Sequence, residues 1–123
     1  MAQRRMFAKN VVETDDFYDL TVQAQTLYFH LCMTADDDGF TKSKRSVLKL
    51  LNLNDSAYDE LLASNYIIDF PTGVCCIIHW KMSNCIQKDR YTKTVYNNEF
   101  SMIESINGVY QEKEQYIPSI PDE

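Results

Sequence analysis

The stretch NYIIDFPTGVCCIIHW, residues 65–80, decides the predicted fold because its apolar side chains follow the pattern of β-strands. NYIIDF and VCCIIHW are two such runs, and the intervening Pro71, Thr72 and Gly73 predict a tight connection. In the second run both alternating sets of side chains are largely apolar, so we expect that strand to be covered on both faces. The stretch therefore predicts a β-hairpin whose second strand ends near Trp80.

Upstream of the hairpin, apolar residues recur at helical spacing. A short helix is predicted over 14–20, with Thr14 as its N-cap. Three further helices are predicted. The first is capped by Thr21 and ends near residue 34, and the second is capped by Thr41 or Ser43 and ends near residue 51. The third is capped by Asn54, Asp55 or Ser56 and ends near residue 64. DDDG at 36–39 is expected to be the turn that ends the first of these three, with Gly39 free to take a positive φ.

Three helices followed directly by a hairpin predict a mainly α chain with a small β-hairpin, an α+β fold. This order matches a winged helix, a helix-turn-helix variant whose third helix is the nominal recognition element and whose hairpin is the wing. Residues 97–123 contain six acids and one base, and so hold five of the six net negative charges. We predict a winged-helix domain over 1–96 and an acidic C-terminal segment or linker over 97–123, with a weak helix near 100–106.

Metal binding and catalysis have little support in the sequence. His30, His79 and four cysteines are present, but no pair has the spacing of a zinc site, and Cys75 and Cys76 should point to opposite faces of a strand. Cys76 and His79 lack an orienting third group for nucleophilic catalysis. DDDG begins like a cation loop, yet position twelve, Val47, is not the required Glu. We predict no catalytic residue, no metal and no cofactor.

The compartment is predicted from what the sequence lacks. No apolar h-region follows the basic N-terminus, and no run approaches the length of a membrane span. We therefore expect a protein that is neither exported nor in the membrane, with its cysteines as thiols in a reducing compartment.

Nucleic-acid binding is the function that the charge pattern favours. Basic residues occur in three groups, and we predict that these contact DNA: Arg4 and Arg5; Lys42, Lys44, Arg45 and Lys49; and Lys81, Lys88, Arg90 and Lys93. Tyr91 and Tyr96 are placed to stack on bases of a single strand, and packing of this segment against the domain is the alternative. On charge alone, a solvated helix face and an ordinary charged loop explain the pattern about as well.

The predicted third helix works against reading of DNA sequence. It carries Asp55, Asp59 and Glu60 and no Lys or Arg, so insertion into a major groove would bring acids close to phosphates. We therefore expect contacts mainly to backbone phosphates, or a module that assembles with protein and binds no DNA itself.

Three separated segments resemble one known family. They are QRRMFAKNVVETDDF at 3–17, QTLYFHLCMTADDDGF at 25–40 and HWKMSNCIQKDRYTKTVY at 79–96. Together they resemble the phage replisome organiser N-terminal domain family, the winged-helix domain of DnaD-like phage replication-initiation proteins. The resemblance covers about residues 1–100.

The resemblance implies a role in starting DNA replication in the cytoplasm of a bacterial host. It implies binding of origin or single-stranded DNA, self-association into a homo-oligomer, and help in recruiting the replicative helicase or its loader. In such proteins helicase contact usually lies in a separate C-terminal domain, so we expect either an N-terminal piece of a longer protein or a naturally short version. The alternative is an oligomerisation or protein-interaction scaffold of the replisome without DNA binding of its own.

Overall fold

Short helices and two small antiparallel sheets make up the part of the chain that the computed structural model describes, residues 9–83 and 90–113. The helices are α1 (Lys9–Val12), α2 (Asp15–Tyr18), α3 (Val22–Thr34), α4 (Lys44–Leu51), α5 (Asp55–Ala63), α6 (Trp80–Ser83) and α7 (Asn97–Phe100). The strands are β1 (Phe40–Thr41), β2 (Ile67–Asp69), β3 (Cys75–Ile77), β4 (Ile103–Ile106) and β5 (Val109–Glu112). The fold is α+β, as predicted, and none of the described helices is long and apolar enough to cross a membrane.

Three helix starts follow the capping residues of the sequence, whereas the side chain of Ser43, at the N-cap position of α4, makes no capping hydrogen bond. The Thr14 hydroxyl accepts a hydrogen bond from the Phe17 amide, and the Thr21 hydroxyl accepts one from the Ala24 amide. Asn54 caps α5 in the same way, through the Ser56 amide. Each such cap satisfies an amide that the helix itself leaves unpaired, and is worth about 1 kcal/mol. The predicted caps at these three positions are confirmed.

The first sheet has β3 at its centre, with β1 and β2 antiparallel on either side. The β2–β3 hairpin is the one predicted, and Gly73 takes φ +93° in its turn. The predicted second strand was too long, because β3 ends at Ile77 and Trp80 begins α6. The Ile77 amide donates to the Gly39 carbonyl, and the Trp80 indole then turns to the Asp37 carbonyl 3.0 Å away. The first of these bonds continues the β1–β3 pairing by one position, and the second holds Trp80, at the start of α6, against the loop before β1.

The core lies between the helices and the first sheet. Aromatic rings meet edge to face at its centre, with the Phe17 ring 5.4 Å from that of Tyr28 and 5.6 Å from that of Tyr66. Edge-to-face pairs of this kind add about 0.5–1.5 kcal/mol beyond the apolar area that they bury. Trp80 is completely buried and belongs to this core.

Residues 97–113 are the described part of the acidic C-terminal segment or linker predicted over 97–123. That part forms α7 and the β4–β5 hairpin, with a strand where a weak helix was expected near 100–106. Ile103 and Tyr110 are buried, and the Tyr110 amide donates to the Ile78 carbonyl at 2.8 Å. Apolar burial and this bond attach the hairpin to the rest of the domain, although the surrounding sequence is acidic.

Gly39 provides a sharp test of this packing. Its φ is +88°, and an added Cβ would lie 2.5 Å from Trp80 Cγ. We expect Gly39→Ala to lower the free energy of unfolding by about 3 kcal/mol or more, through overpacking as well as backbone strain. Urea unfolding followed by circular dichroism measures this.

Gly73→Ala is the matched control, because its φ is +93° and the nearest atom to an added Cβ is Lys42 Cε at 3.8 Å. At Gly73 only the cost of placing alanine in the left-handed backbone conformation remains, so we expect the free energy of unfolding to fall by about 1–2 kcal/mol. Equal losses at the two glycines would contradict the packing described for Trp80.

Candidate nucleic-acid interface

The three consecutive aspartates between α3 and β1, Asp36 to Asp38, are named here the aspartate loop. Asp36 closes the turn, because its carboxylate Oδ1 accepts hydrogen bonds from the backbone amides of Asp38 and Phe40, each with an N···O distance of 3.0 Å. The Asp36 amide donates to the Phe40 carbonyl at 2.9 Å, and the Gly39 amide donates to the Asp36 carbonyl. The predicted turn with Gly39 at positive φ is confirmed, but this loop also holds distant parts of the chain.

Asp38 is a completely buried carboxylate with a full set of partners. Lys81 Nζ lies 3.1 Å from its Oδ1. The Tyr91 hydroxyl lies 2.8 and 2.6 Å from the two carboxylate oxygens, and the Thr94 amide donates to Oδ2 at 2.8 Å. The Tyr110 hydroxyl donates to the Asp38 backbone carbonyl at 2.7 Å. A buried charge is tolerated when it is paired and hydrogen-bonded in this way.

The other two aspartates attach the same distant segment. The Thr92 amide donates to Asp37 Oδ2 at 2.9 Å, and the Thr94 hydroxyl donates to Asp36 Oδ2 at 2.5 Å. Residues 91–94 therefore run along the aspartate loop, held by backbone and side-chain bonds.

Lys81 and Tyr91, both predicted as DNA contacts, have structural partners. The Lys81 ammonium is paired with Asp38 and lies 5.5 Å from the centre of the Tyr91 ring. Burial, together with the neighbouring Asp38, raises the pKa of Tyr91 above its ordinary value, so its hydroxyl stays protonated and donates. Packing of this segment against the domain is the alternative left open from the sequence, but its partners could not be named, because residues so far apart in the chain leave no local signal.

The predicted basic residues on and beside α4 differ in exposure. Lys42, Arg45 and Lys49 are exposed, and Arg45 and Lys49 are one helical turn apart. Lys44 is half-buried, with its ammonium 4.1 Å from the centre of the Tyr58 ring in a cation–π contact. Lys44 is thus partly engaged within the domain.

The remaining predicted contacts are Arg90, Lys93 and three residues outside the described part of the chain. Arg90 is exposed. Lys93 is also exposed, and its ammonium lies 5.8 Å from the centre of the Phe100 ring. Arg4, Arg5 and Lys88 lie outside the described residues.

An open groove of about 600 Å³ brings two of these cations together. It runs between the start of α4 and residues 92–96, and Lys42, Ser43, Lys93 and Val95 are among the residues that line it. We call it the basic groove. Lys42 and Lys93 are 51 positions apart in sequence, and the aspartate loop brings their two segments side by side. Val95, which is 78 % exposed, gives the groove an apolar side chain that the sequence analysis did not single out.

The acids of α5 have different roles. Glu60 accepts hydrogen bonds from the Thr21 amide at 2.8 Å and from the Thr21 hydroxyl at 2.7 Å, so it helps to cap α3. Asp55 and Asp59 are exposed. The exposed surface of α5 therefore carries these two acids.

Cysteine and histidine chemistry contributes no site in the described residues. Cys32, Cys75 and Cys76 are buried thiols, and burial raises the pKa of Cys75 to about 12. The His79 Nδ1 atom is buried without a hydrogen-bond partner, and burial lowers the pKa of this imidazole. No group of three potential metal ligands occurs within the described ranges.

The chain matches none of the protein-family models, curated proteins or solved structures with which it was compared.

The buried Asp38 carboxylate should dominate the stability of this region. We expect Asp38→Asn to lower the free energy of unfolding by about 3 kcal/mol, because the Tyr91 hydroxyl, the Thr94 amide and Lys81 all lose a charged acceptor that is completely buried. Urea unfolding followed by the fluorescence of Trp80, the single tryptophan, measures this.

Asp59→Asn, at an exposed position on α5, is the matched control, and we expect a change within about 0.5 kcal/mol. If Asp38→Asn also fell within that range, Asp38 would have no such structural role.

Proposed function

We propose that the described residues form a winged-helix domain, a variant of the helix-turn-helix, that binds DNA. The order α3, β1, α4, α5, β2, β3 supports this, as does the strand order β1-β3-β2. In this interpretation α4 and α5 are the helix-turn-helix pair, and the β2–β3 hairpin is the wing.

The basic groove carries the DNA-binding part of the proposal. It presents Lys42 and Lys93 beside the exposed Arg45 and Lys49 of α4. Four cations that contact phosphates would give a dependence of log K on log salt of roughly −3 to −4 on duplex DNA. Lys81 and Tyr91 are no longer among the proposed phosphate or base contacts, because both bond to Asp38.

Contacts to backbone phosphates, rather than to bases, fit the charge of α5. With Asp55 and Asp59 exposed, entry of α5 into a major groove would place two carboxylates near phosphates. We infer that the domain binds mainly through phosphates, with α4 and the basic groove against the nucleic acid.

The biological setting of the proposal is replication initiation in a phage or prophage. It is supported by the resemblance of segments 3–17, 25–40 and 79–96 to replisome organiser N-terminal domains. We infer self-association on the same resemblance. Recruitment of a replicative helicase or its loader would then fall to a further domain.

A second candidate function is a replisome scaffold that assembles with protein and binds no DNA itself. The acidic exposed face of α5, together with exposed Leu50 on the neighbouring α4, favours it. Light scattering that finds a monomer at every concentration would count against this candidate.

A titration with single- and double-stranded DNA at two salt concentrations tests the first proposal. We expect salt-sensitive binding that depends little on sequence. Lys42→Gln and Lys93→Gln should each weaken it about equally for all sequences and reduce the salt slope by about one.

Lys113→Gln is the matched control, because Lys113 is an exposed lysine at the end of the β4–β5 hairpin. We expect it to change the affinity and the slope far less than the groove variants do. Absence of salt-sensitive binding by the natural chain would rule the proposal out and leave the scaffold.

A further inference from the structure

An open hollow of about 320 Å³ lies between α5 and the segment formed by α2 and the residues that follow it. Asp16 and Asp19 line it on one side and Glu60 lines it on the other. Asp16 and Asp19 are exposed, whereas Glu60 bonds to the amide and hydroxyl of Thr21. We call this feature the acidic hollow.

The negative charge of the acidic hollow is not offset by nearby cations. No Lys or Arg of the described chain is among its lining residues. Residues 10–41 and 50–80, which supply α2, α3 and α5, contain no Lys or Arg at all. Within the described ranges, neither Asp16 nor Asp19 lies within ion-pair distance of a cation. Charge therefore favours a cationic occupant.

The inner surface of the acidic hollow is partly apolar. Leu20 and Tyr66 line it, although both belong to the core and each is only 7 % exposed. An apolar centre with a charged rim is the usual arrangement of a protein–protein contact. The occupant that matches both features is an apolar side chain flanked by cations.

The exposed face of α4 has this combination. Leu50, in its last turn, is 73 % exposed, and the neighbouring Lys49 is exposed one helical turn from exposed Arg45. The sequence of α4, KRSVLKLL, contains no acid, and no described carboxylate lies within ion-pair distance of Arg45 or Lys49. None of these residues lines the acidic hollow of the same molecule. The match therefore joins two copies of the chain.

We propose that α4 of one copy docks in the acidic hollow of a second copy. Leu50 then lies over the apolar inner surface, and Arg45 and Lys49 face the carboxylates of the rim. This inference rests on the self-association in the proposed function and deepens it by naming the two surfaces. Since Arg45 and Lys49 are also proposed phosphate contacts, a docked copy would have fewer cations available for DNA.

Two variants test the contact, because each disables one of the two surfaces. Arg45→Glu/Lys49→Glu changes α4 and leaves the acidic hollow intact, whereas Asp16→Asn/Asp19→Asn changes the acidic hollow and leaves α4 intact. All four positions are exposed, so both variants should fold, which circular dichroism checks. Sedimentation velocity at about 50 mM salt measures the association of the natural chain, of each variant and of their 1:1 mixture.

We expect the average mass of the natural chain to rise with protein concentration. Each variant alone should raise the dissociation constant about tenfold or more, because the charges across the contact are no longer complementary. The 1:1 mixture should associate to dimers and no further, since α4 of the second variant still fits the acidic hollow of the first. At about 300 mM salt the association of the natural chain should weaken.

Further variants separate this contact from a general effect of charge. Lys113→Glu and Glu104→Gln change exposed charges of the β4–β5 hairpin and its end, and should leave the dissociation constant within about twofold. Leu50→Gln changes no charge, and we expect it to weaken association about tenfold, through the loss of apolar burial.

Two results would overturn the docking while leaving self-association to another surface. They are variants that associate as strongly as the natural chain, and a 1:1 mixture that associates no more than its separate components. A natural chain that stays monomeric at every concentration would overturn both the docking and the self-association. The DNA titration decides the DNA-binding part of the proposed function separately.

Discussion

The buried carboxylate of Asp38 is the interaction on which the rest of this structure depends. A lone ion in this position would cost several kcal/mol, and here Lys81 supplies a countercharge while Tyr91 and the Thr94 amide supply hydrogen bonds. The Tyr110 hydroxyl binds the carbonyl of the same residue. One residue thus joins α6, the segment after residue 90 and the β4–β5 hairpin to the end of α3.

This arrangement also shapes the surface that we propose for DNA. Because Thr92 and Thr94 are bonded to the aspartate loop, Lys93 between them is positioned across the basic groove from Lys42. The same bonds occupy Lys81 and Tyr91. The acids of the chain therefore do more than repel phosphates, since three of them organise the groove and Glu60 accepts hydrogen bonds from Thr21, the N-cap of α3.

Local signals in the sequence account for much of the fold. Thr14, Thr21 and Asn54 cap helices where expected, since an N-cap bond involves residues two or three positions apart. The two residues of β1 are too few to show a period, so this strand could not be predicted. The β4–β5 hairpin did leave a signal, Asn107-Gly108 with positive φ at both residues, which the acidic composition of the segment obscured.

The candidate site was harder to predict because it depends on contacts between distant residues. The Asp38 carboxylate meets its partners across 43 to 56 positions, and nothing in DDDG distinguishes such a loop from an ordinary helix-ending turn. The sequence identifies the basic residues but does not tell which of them stay exposed and which pair with acids of the domain. The exposed ones are Lys42, Arg45, Lys49, Arg90 and Lys93, whereas Lys81 pairs with Asp38. The family resemblance and the role in replication stay predictions.

Hydrogen exchange at the Thr94 amide tests the central claim most directly. This amide is bonded to a carboxylate that is itself completely buried, so it should open only when the aspartate loop opens. The account predicts exchange about a thousandfold or more slower than in an unstructured peptide, with the amide of exposed Val95 as the comparison within the same segment. Exchange of the Thr94 amide at the unstructured rate in the natural chain would contradict it.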